Sequence, residues 1–355
     1  MNLEMLGWSP FFSNSFAPYA NQGYRAGRVA REHRNMYEIV AEEGELQAEV
    51  SGRMRHQATS RGDLPAVGDW VVIGRADGAE RHTIHALLPR KSKFSRNVAG
   101  GTTEEQIVAA NIDTAFLVTG LDDNFNPRRI ERYLILAWES GADPVIVLTK
   151  ADLCDDLDRY LDDAMAVALG VPVIAVSAPD GGGLDRLTPY LGAGKTAVLL
   201  GSSGVGKSTL TNRLAGAELL KVGEVSGSVG KGKHTTTHRE MILLPDGGLI
   251  IDTPGMRELQ LWEADDGLRE TFEDITSLAE RCRFRDCGHG NEPGCAIRRA
   301  LDGGTLDAAR YRNYIKMERE LAYLDRKDDK SAALAEKERW KKLGKESRKL
   351  PHRRT

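Results

Sequence analysis

The sequence predicts a multidomain chain in three folded parts. They are an N-terminal β-barrel of the OB type, a central α/β domain built around a phosphate-binding loop, and a C-terminal, mostly helical lobe clamped on a metal ion. Three observations carry this. Between residues 36 and 88, about five short strand-like segments follow one another, separated by turns. From residue 111 to 251 strands alternate with helices, and a glycine-rich loop joins one strand to the helix after it. Between residues 282 and 295 three cysteines and a histidine crowd together.

Composition narrows the classes first. The 355 residues suffice for two or three domains. Apolar residues make up 41% and charged residues 28%, which excludes disorder of the whole chain and collagen-like or disulfide-scaffold classes. The four cysteines are too few for a secreted disulfide framework. No apolar run approaches the ~18–20 residues that span a bilayer. Glu4, and the lack of a basic patch followed by an apolar core, argue against a signal peptide. The expectation is a cytoplasmic protein, a monomer, with no membrane partner. Net charge is −3, but residues 331–355 hold nine Lys/Arg against three Glu, so a +6 tail is attached to a −9 body. A basic tail of that kind suits a polyanionic partner.

Taken in order, residues 1–34 read as a polar, aromatic and irregular N-terminal extension. Residues 35–96 form the barrel, with strands expected at 36–40, 45–51, 69–73 and 81–88 and turn signals at Glu43-Gly44 and Asp77-Gly78. An SH3-like barrel would read the same way. Residues 97–262 form the α/β domain. Its strands are expected at 114–119, 144–148, 171–176, 197–200 and 249–251, and its helices at 127–140, at 157–169 and from 207 onward. Residues 263–330 form the metal-binding helical domain, which includes an amphipathic helix at 308–325, and residues 331–355 are the basic tail.

Gly201, Ser202, Ser203, Gly204, Val205, Gly206, Lys207, Ser208 and Thr209 fit G-x-x-x-x-G-K-[ST], between a predicted strand and a predicted helix. Glycines let such a loop turn its backbone N–H groups inward onto phosphate oxygens, and the helix N-terminus adds partial positive charge. Lys207 is expected to reach the β- and γ-phosphates and Ser208 to bind Mg²⁺. Asp252 ends the next predicted strand, where the second Mg²⁺-holding carboxylate belongs, and Gly255 can offer an N–H to a γ-phosphate. Thr149, Lys150, Ala151 and Asp152 resemble the guanine-reading [NT]-K-x-D motif. Guanine presents N1–H and N2–H₂, and one carboxylate, Asp152, can accept from both, whereas adenine presents an acceptor at N1. Ser177 and Ala178 follow the next predicted strand and resemble the element whose backbone N–H meets the guanine O6. Thr149 stands where Asn is commoner.

Cys282, Cys287, His289 and Cys295 read C-x₄-C-x-H-x₅-C, a closed set of three thiolates and one imidazole that suits one structural Zn²⁺ and leaves no position for a catalytic water. Arg281, Arg283, Arg285, Arg298 and Arg299 surround the ligands and suit RNA phosphates. Cys154 reads as a small buried side chain in a helical region.

The guanine motif precedes the phosphate loop, the reverse of Ras-like order. All these groups sit at carboxyl ends of strands, where open α/β sheets bind ligands, so chain order is immaterial to the pocket. With barrel, permuted α/β domain and zinc region in sequence, the chain resembles the RsgA (YjeQ) family, circularly permuted bacterial GTPases of small-ribosomal-subunit assembly. The resemblance implies GTP hydrolysis to GDP, slow alone and stimulated by the small (30S) subunit, in late subunit maturation and release of assembly factors. Small-subunit rRNA of the 16S type and other assembly factors are the implied partners. Met256 follows Gly255, where many GTPases carry a water-orienting Gln, so slow intrinsic turnover is expected. In the resembling family a His at the position of His234 is implicated in positioning water. One of Thr235–Thr237, with Thr236 favoured, would complete the Mg²⁺ shell. An ATP-dependent phosphotransferase and a non-enzymatic RNA chaperone are the rival readings, separable by nucleotide competition and by turnover.

Overall fold

A computed structural model describes residues 2–33, 36–74, 81–97, 105–123, 125–219, 239–252 and 264–328. A 3-10 turn (Leu3–Leu6) and helix α1 (Pro10–Ala20) precede strand β1 (Arg25–His33). Strands β2 (Met36–Ala41) and β3 (Gly44–Val50), helix α2 (Gly52–Gln57), and strands β4 (Trp70–Gly74) and β5 (His82–Leu87) follow. These five strands are ordered β1-β2-β3-β5-β4, and β4 returns to pair with β1, closing a barrel without free edges. Only β3 and β5 run parallel. Val29, Ile39, Ala48, Val71, Ile73 and Ile84 fill its interior.

The irregular reading of residues 1–34 is overturned: α1 and the whole of β1 lie there. Strand β1 hid itself because it carries one large apolar residue, Val29, among Arg, Ala and Gly. Helix α1 hid itself because its inward stripe is the short run Phe12, Phe16 and Tyr19, of which only Phe12 is fully buried, and it sits among Pro, Ser and Asn.

A hairpin of β6 (Lys93–Asn97) and β7 (Glu105–Ala110), absent from the sequence reading, leads into the α/β domain. There β8 (Thr114–Gly120), α3 (Pro127–Ser140), β9 (Asp143–Thr149), α4 (Leu157–Val167), β10 (Val173–Ala175), β11 (Thr196–Leu200) and α5 (Lys207–Ala215) follow in order. Strands β12 (Glu240–Leu243) and β13 (Leu249–Asp252) complete it. The sheet order is β10-β9-β8-β11-β13-β12; the first five strands are mutually parallel and β12 is antiparallel to β13. Every residue of β8 and β11 is buried, as a sheet covered on both faces requires. Phe116, Val118, Val147, Leu199 and Ile250 pack with Leu210 of α5 on one face. Ala115, Leu117, Ile146, Leu148, Val198 and Ile251 pack with Ile130 and Leu134 of α3 on the other.

The lobe that follows holds α6 (Asp265–Thr271), α7 (Glu273–Ala279), α8 (Ala296–Asp302) and α9 (Ala308–Asp328). Its Leu268, Phe272, Ile275, Ile297, Met317 and Leu321 belong to the same apolar cluster as α3.

Two polar knots lock the three parts together. At the barrel, the fully buried Arg28 guanidinium donates to the carbonyls of Gly68 (3.0 Å) and Asn111 (2.9 Å), to Leu6 O, and to Thr196 Oγ1 (2.9 Å) on β11. Burial pulls its pKa down to about 10 against the pull of Asp113 and Asp69. Beside it, Arg31 of β1 lies opposite Glu240 of β12 and pairs with its carboxylate. At the helical lobe, buried Glu131 of α3 accepts from Arg128 (2.7 Å) and from Arg310 (2.8 Å) and Asn313 of α9. Arg310 also reaches both oxygens of Asp274 (2.8 and 2.9 Å). The knots hold groups whose desolvation is tolerable only while they stay paired.

Candidate functional site

The loop Gly201–Gly206 leaves β11 and enters α5. Gly206 caps α5 at φ 98°, a left-handed conformation that favours glycine, and a Cβ at Gly201 would run into the Val118 carbonyl oxygen. The sequence thus forces a tight, backbone-lined turn at a helix N-terminus. Lys207 Nζ folds back into it, donating to the carbonyls of Gly201 and Ser202, both at 2.7 Å. An ammonium resting on two carbonyls inside the loop can exchange them for phosphate oxygens. Asp252 is buried at the end of β13, which pairs in parallel with β11, so its carboxylate lies one strand from the loop.

The residues at the end of β9 approach the same loop. Thr149 is 3% exposed, and its Oγ1 donates to Val205 O (2.5 Å), with Thr119 O at 3.2 Å. The hydroxyl therefore makes the tie between the two motifs, although Asn is the commoner residue there. Lys150 adopts a left-handed φ of 64° and its Nζ lies 2.5 Å from Asp122 Oδ2, just past the end of β8. Asp152 Oδ1 accepts from Ser177 Oγ at 2.9 Å, joining the ends of β9 and β10. Ser177 and Ala178 are buried in a closed turn in which Ser177 N donates to Gly182 O and Gly181 N to Ser177 O. Five adjacent parallel strands, β10-β9-β8-β11-β13, thus contribute to one row of carboxyl-end loops, where α/β sheets bind ligands. Asp122 was missed in the sequence; its place just past a strand end, one strand from the guanine motif, was the available signal.

His234, Thr236 and Gly255, like the basic tail, lie outside the described residues.

In the helical lobe the ligand atoms of Cys282, Cys287, His289 and Cys295 all lie within 4.8 Å of one another. Cys282 Sγ is 3.9 Å from Cys295 Sγ, and His289 Nδ1 is 3.6 Å from both sulfurs. A tetrahedron with Zn–S of ~2.3 Å and Zn–N of ~2.0–2.1 Å has edges of about 3.8 Å (S–S) and about 3.6 Å (S–N), so the cluster fits that ion. Backbone N–H groups of Ala296 and Arg298 donate to Cys282 Sγ (3.4 Å) and Cys295 Sγ (3.3 Å), a suitable setting for thiolates. Arg281, Arg283, Arg285, Arg298 and Arg299 are all exposed around it. Cys154 takes no part: it follows a 3-10 turn, outside α4, and is only half-buried, which corrects the reading of a buried helical side chain.

A glycine-rich phosphate loop tied to a T-K-x-D strand end, on a sheet entered in rotated order, defines a P-loop domain of the guanine-nucleotide type with permuted motifs. Residues 87–262 match the model of the RsgA GTPase family. The small ribosomal subunit biogenesis GTPase RsgA of Opitutus terrae is 48% identical over 352 residues, covering 97% of this chain and 96% of the relative. The protein of the same name in Syntrophotalea carbinolica is 45% identical, covering 98% of both chains. Among solved structures, YjeQ from Thermotoga maritima aligns with a TM-score of 0.63 at 28% identity, over 84% of this chain and 99% of that one. YloQ, described as a circularly permuted GTPase, aligns at 0.60 and 26% identity, over 84% and 95%. The chain belongs to the RsgA GTPase family.

Proposed function

We propose that the chain hydrolyses GTP to GDP and phosphate in the service of small-ribosomal-subunit assembly. The observation that carries this reading is the bond from Thr149 to Val205, because it joins the guanine motif to the phosphate loop as one pocket. Asp152, held by Ser177, accepts from guanine N1–H and N2–H₂; Ala178 lies by O6; and the Lys150 stem lies along the base. Gly201 to Thr209 wrap the phosphates, and Lys207 leaves its two carbonyls for the β- and γ-oxygens. Ser208, Asp252 and Thr236 are the residues to hold Mg²⁺, which when bound neutralises charge on the β- and γ-phosphates. His234 and the Gly255 N–H serve the attacking water and the γ-phosphate. The water oxygen bonds to the γ-phosphorus, the bond to the β–γ bridging oxygen breaks, and the water proton ends on the released phosphate.

Cys282, Cys287, His289 and Cys295 hold one structural Zn²⁺, and the arginines around them meet rRNA phosphates of the subunit. The protein acts in the cytoplasm as a monomer; among the described residues no helix is long and apolar enough to cross a membrane. The named relatives are subunit biogenesis factors, and they support this role for the chain. The test is GTP turnover with and without purified small subunits, with ATP as competitor. Turnover that rises with subunits and resists ATP is expected. ATP preferred over GTP, or no turnover in either condition, would overturn the reading.

A further inference from the structure

Helix α3 carries three arginines in its first turn and a half, and they do not share one task. Asn126 caps the helix, its Oδ1 accepting from Arg128 N (2.9 Å) and Arg129 N (3.2 Å), with Pro127 at the first helical position. Arg128 and Arg132, four residues apart, share a face and reach α9 or its cap: Arg128 pairs with Asp307 at 2.7 Å and Arg132 with Glu320 at 2.5 Å. Arg129 is rotated by about 100° from Arg128. It points to the carboxyl edge of the sheet, where its Nη1 donates to Ser202 Oγ at 3.0 Å.

Ser202 is the residue on whose carbonyl Lys207 rests at 2.7 Å. Two cations therefore converge on one residue of the loop. The ammonium serves the β- and γ-phosphates in such loops, so the guanidinium sits within one residue's width of the γ-phosphate end. Its anchor is rigid, because α3 is capped at Asn126, buried along Ile130 and Leu134, and fastened to α9 by its neighbours. A guanidinium is always charged and presents a planar fork to phosphate oxygens.

We infer that Arg129 is a phosphate-contacting catalytic residue, which turns from Ser202 onto the γ-phosphate and stabilises the charge developing there during hydrolysis. The inference rests on the GTPase reading above and assigns that site an arginine supplied by the chain itself.

The test compares the full-length wild type with Arg129→Ala and Arg129→Lys. Affinities for GDP and for a non-hydrolysable GTP analogue are measured by fluorescence titration, and GTP hydrolysis under single-turnover conditions. Arg129→Ala is expected to weaken the GTP analogue at least about tenfold and leave GDP within about twofold. It is expected to slow hydrolysis about 100-fold, in line with removal of one preorganised donor. Arg129→Lys is expected to recover part of both losses and, as the milder change, decides the matter should the Ala variant melt early. Equal weakening of both nucleotides would make Arg129 a brace for the loop and overturn the inference, as would no change in either. The affinity comparison needs no turnover. A wild type that binds GTP without hydrolysing it would therefore remove the GTPase reading, while GDP and analogue binding would still show whether Arg129 meets the γ-phosphate.

Discussion

Thr149→Val is the sharpest probe of the pocket, because valine keeps the shape of threonine and deletes only the hydroxyl. The hydroxyl has one proton, and its nearer acceptor is Val205 O at 2.5 Å, with Thr119 O the longer contact at 3.2 Å. At 3% exposure the site admits no water to replace the lost donor, so the substitution orphans a loop carbonyl. An unsatisfied buried acceptor costs about 1–3 kcal/mol. In a domain of about 150–250 residues, the size class of the α/β domain, that is a fall in Tm of about 2–4 °C per kcal/mol. A second effect falls on binding. Without the tie, the Val205–Gly206 turn must be ordered by the nucleotide, and fixing one residue's backbone costs about 1–2 kcal/mol. Kd for GDP should then rise about 5–30-fold. Isothermal titration calorimetry and a melting curve measure the two effects separately. Thr149→Ser, which retains a hydroxyl, should recover most of both. GDP affinity within twofold of wild type together with a melting point within 1 °C would refute the view that this bond preorganises the phosphate loop.

Asp152→Asn should weaken GTP by at least about 100-fold, because two charge-assisted bonds worth about 1.5–3 kcal/mol each are lost or reduced. Xanthosine triphosphate, which offers an acceptor at C2 to the new amide, should gain in a competition assay; an unchanged GTP-to-XTP ratio would contradict the role of Asp152. Cys287→Ser should release zinc and raise hydrogen exchange across 280–300, since a structural zinc site contributes folding energy directly. Asp307→Asn should destabilise the lobe in a pH-dependent way. Burial works against ionisation of Asp307, but the Arg310 backbone N–H (2.6 Å) and the Arg128 guanidinium (2.7 Å) outweigh it and hold its carboxyl below the ordinary value. A lowered folded pKa stabilises above the ordinary carboxylate range and is lost as pH falls through the lowered value. The Tm difference between wild type and Asp307→Asn should therefore be constant near pH ~6–7 and close below pH ~4. A difference that persists unchanged to pH ~3 would contradict it.

What could be read from the sequence tracks the range of the forces involved. Helix α3 falls where the spacing placed it because Asn126, Pro127 and Gly141 set its ends locally and Ile130 and Leu134 recur at helical spacing. Strands β8, β9 and β11 were visible as short apolar runs because both their faces are covered. Strand β12 was not, since it has four residues and takes its place from pairing with β13 and from the contact of Arg31 with Glu240. Strand β1 was lost for a related reason: its most buried long side chain, Arg28, is a cation whose acceptors are distant backbone carbonyls, so no local pattern marks it as interior.

The candidate site divides the same way. The phosphate loop, the T-K-x-D segment and the Cys/His spacing declare themselves in the sequence, because each must present several groups from a few consecutive residues, and the glycines that permit this are local requirements. That Thr149 substitutes for Asn by bonding Val205, that Asp122 pairs with Lys150, and that Arg129 rather than Arg128 faces the loop depend on residues 28 to 73 positions apart, or on a helix's rotation against its neighbours. Such contacts are set by how the sheet orders its strands and how α3 is wedged between sheet and lobe. The sequence by itself determined which chemistry the chain can perform; only tertiary packing decided which side chains are brought within bonding distance to perform it, because hydrogen bonds act over about 3 Å and chain separation carries no distance information.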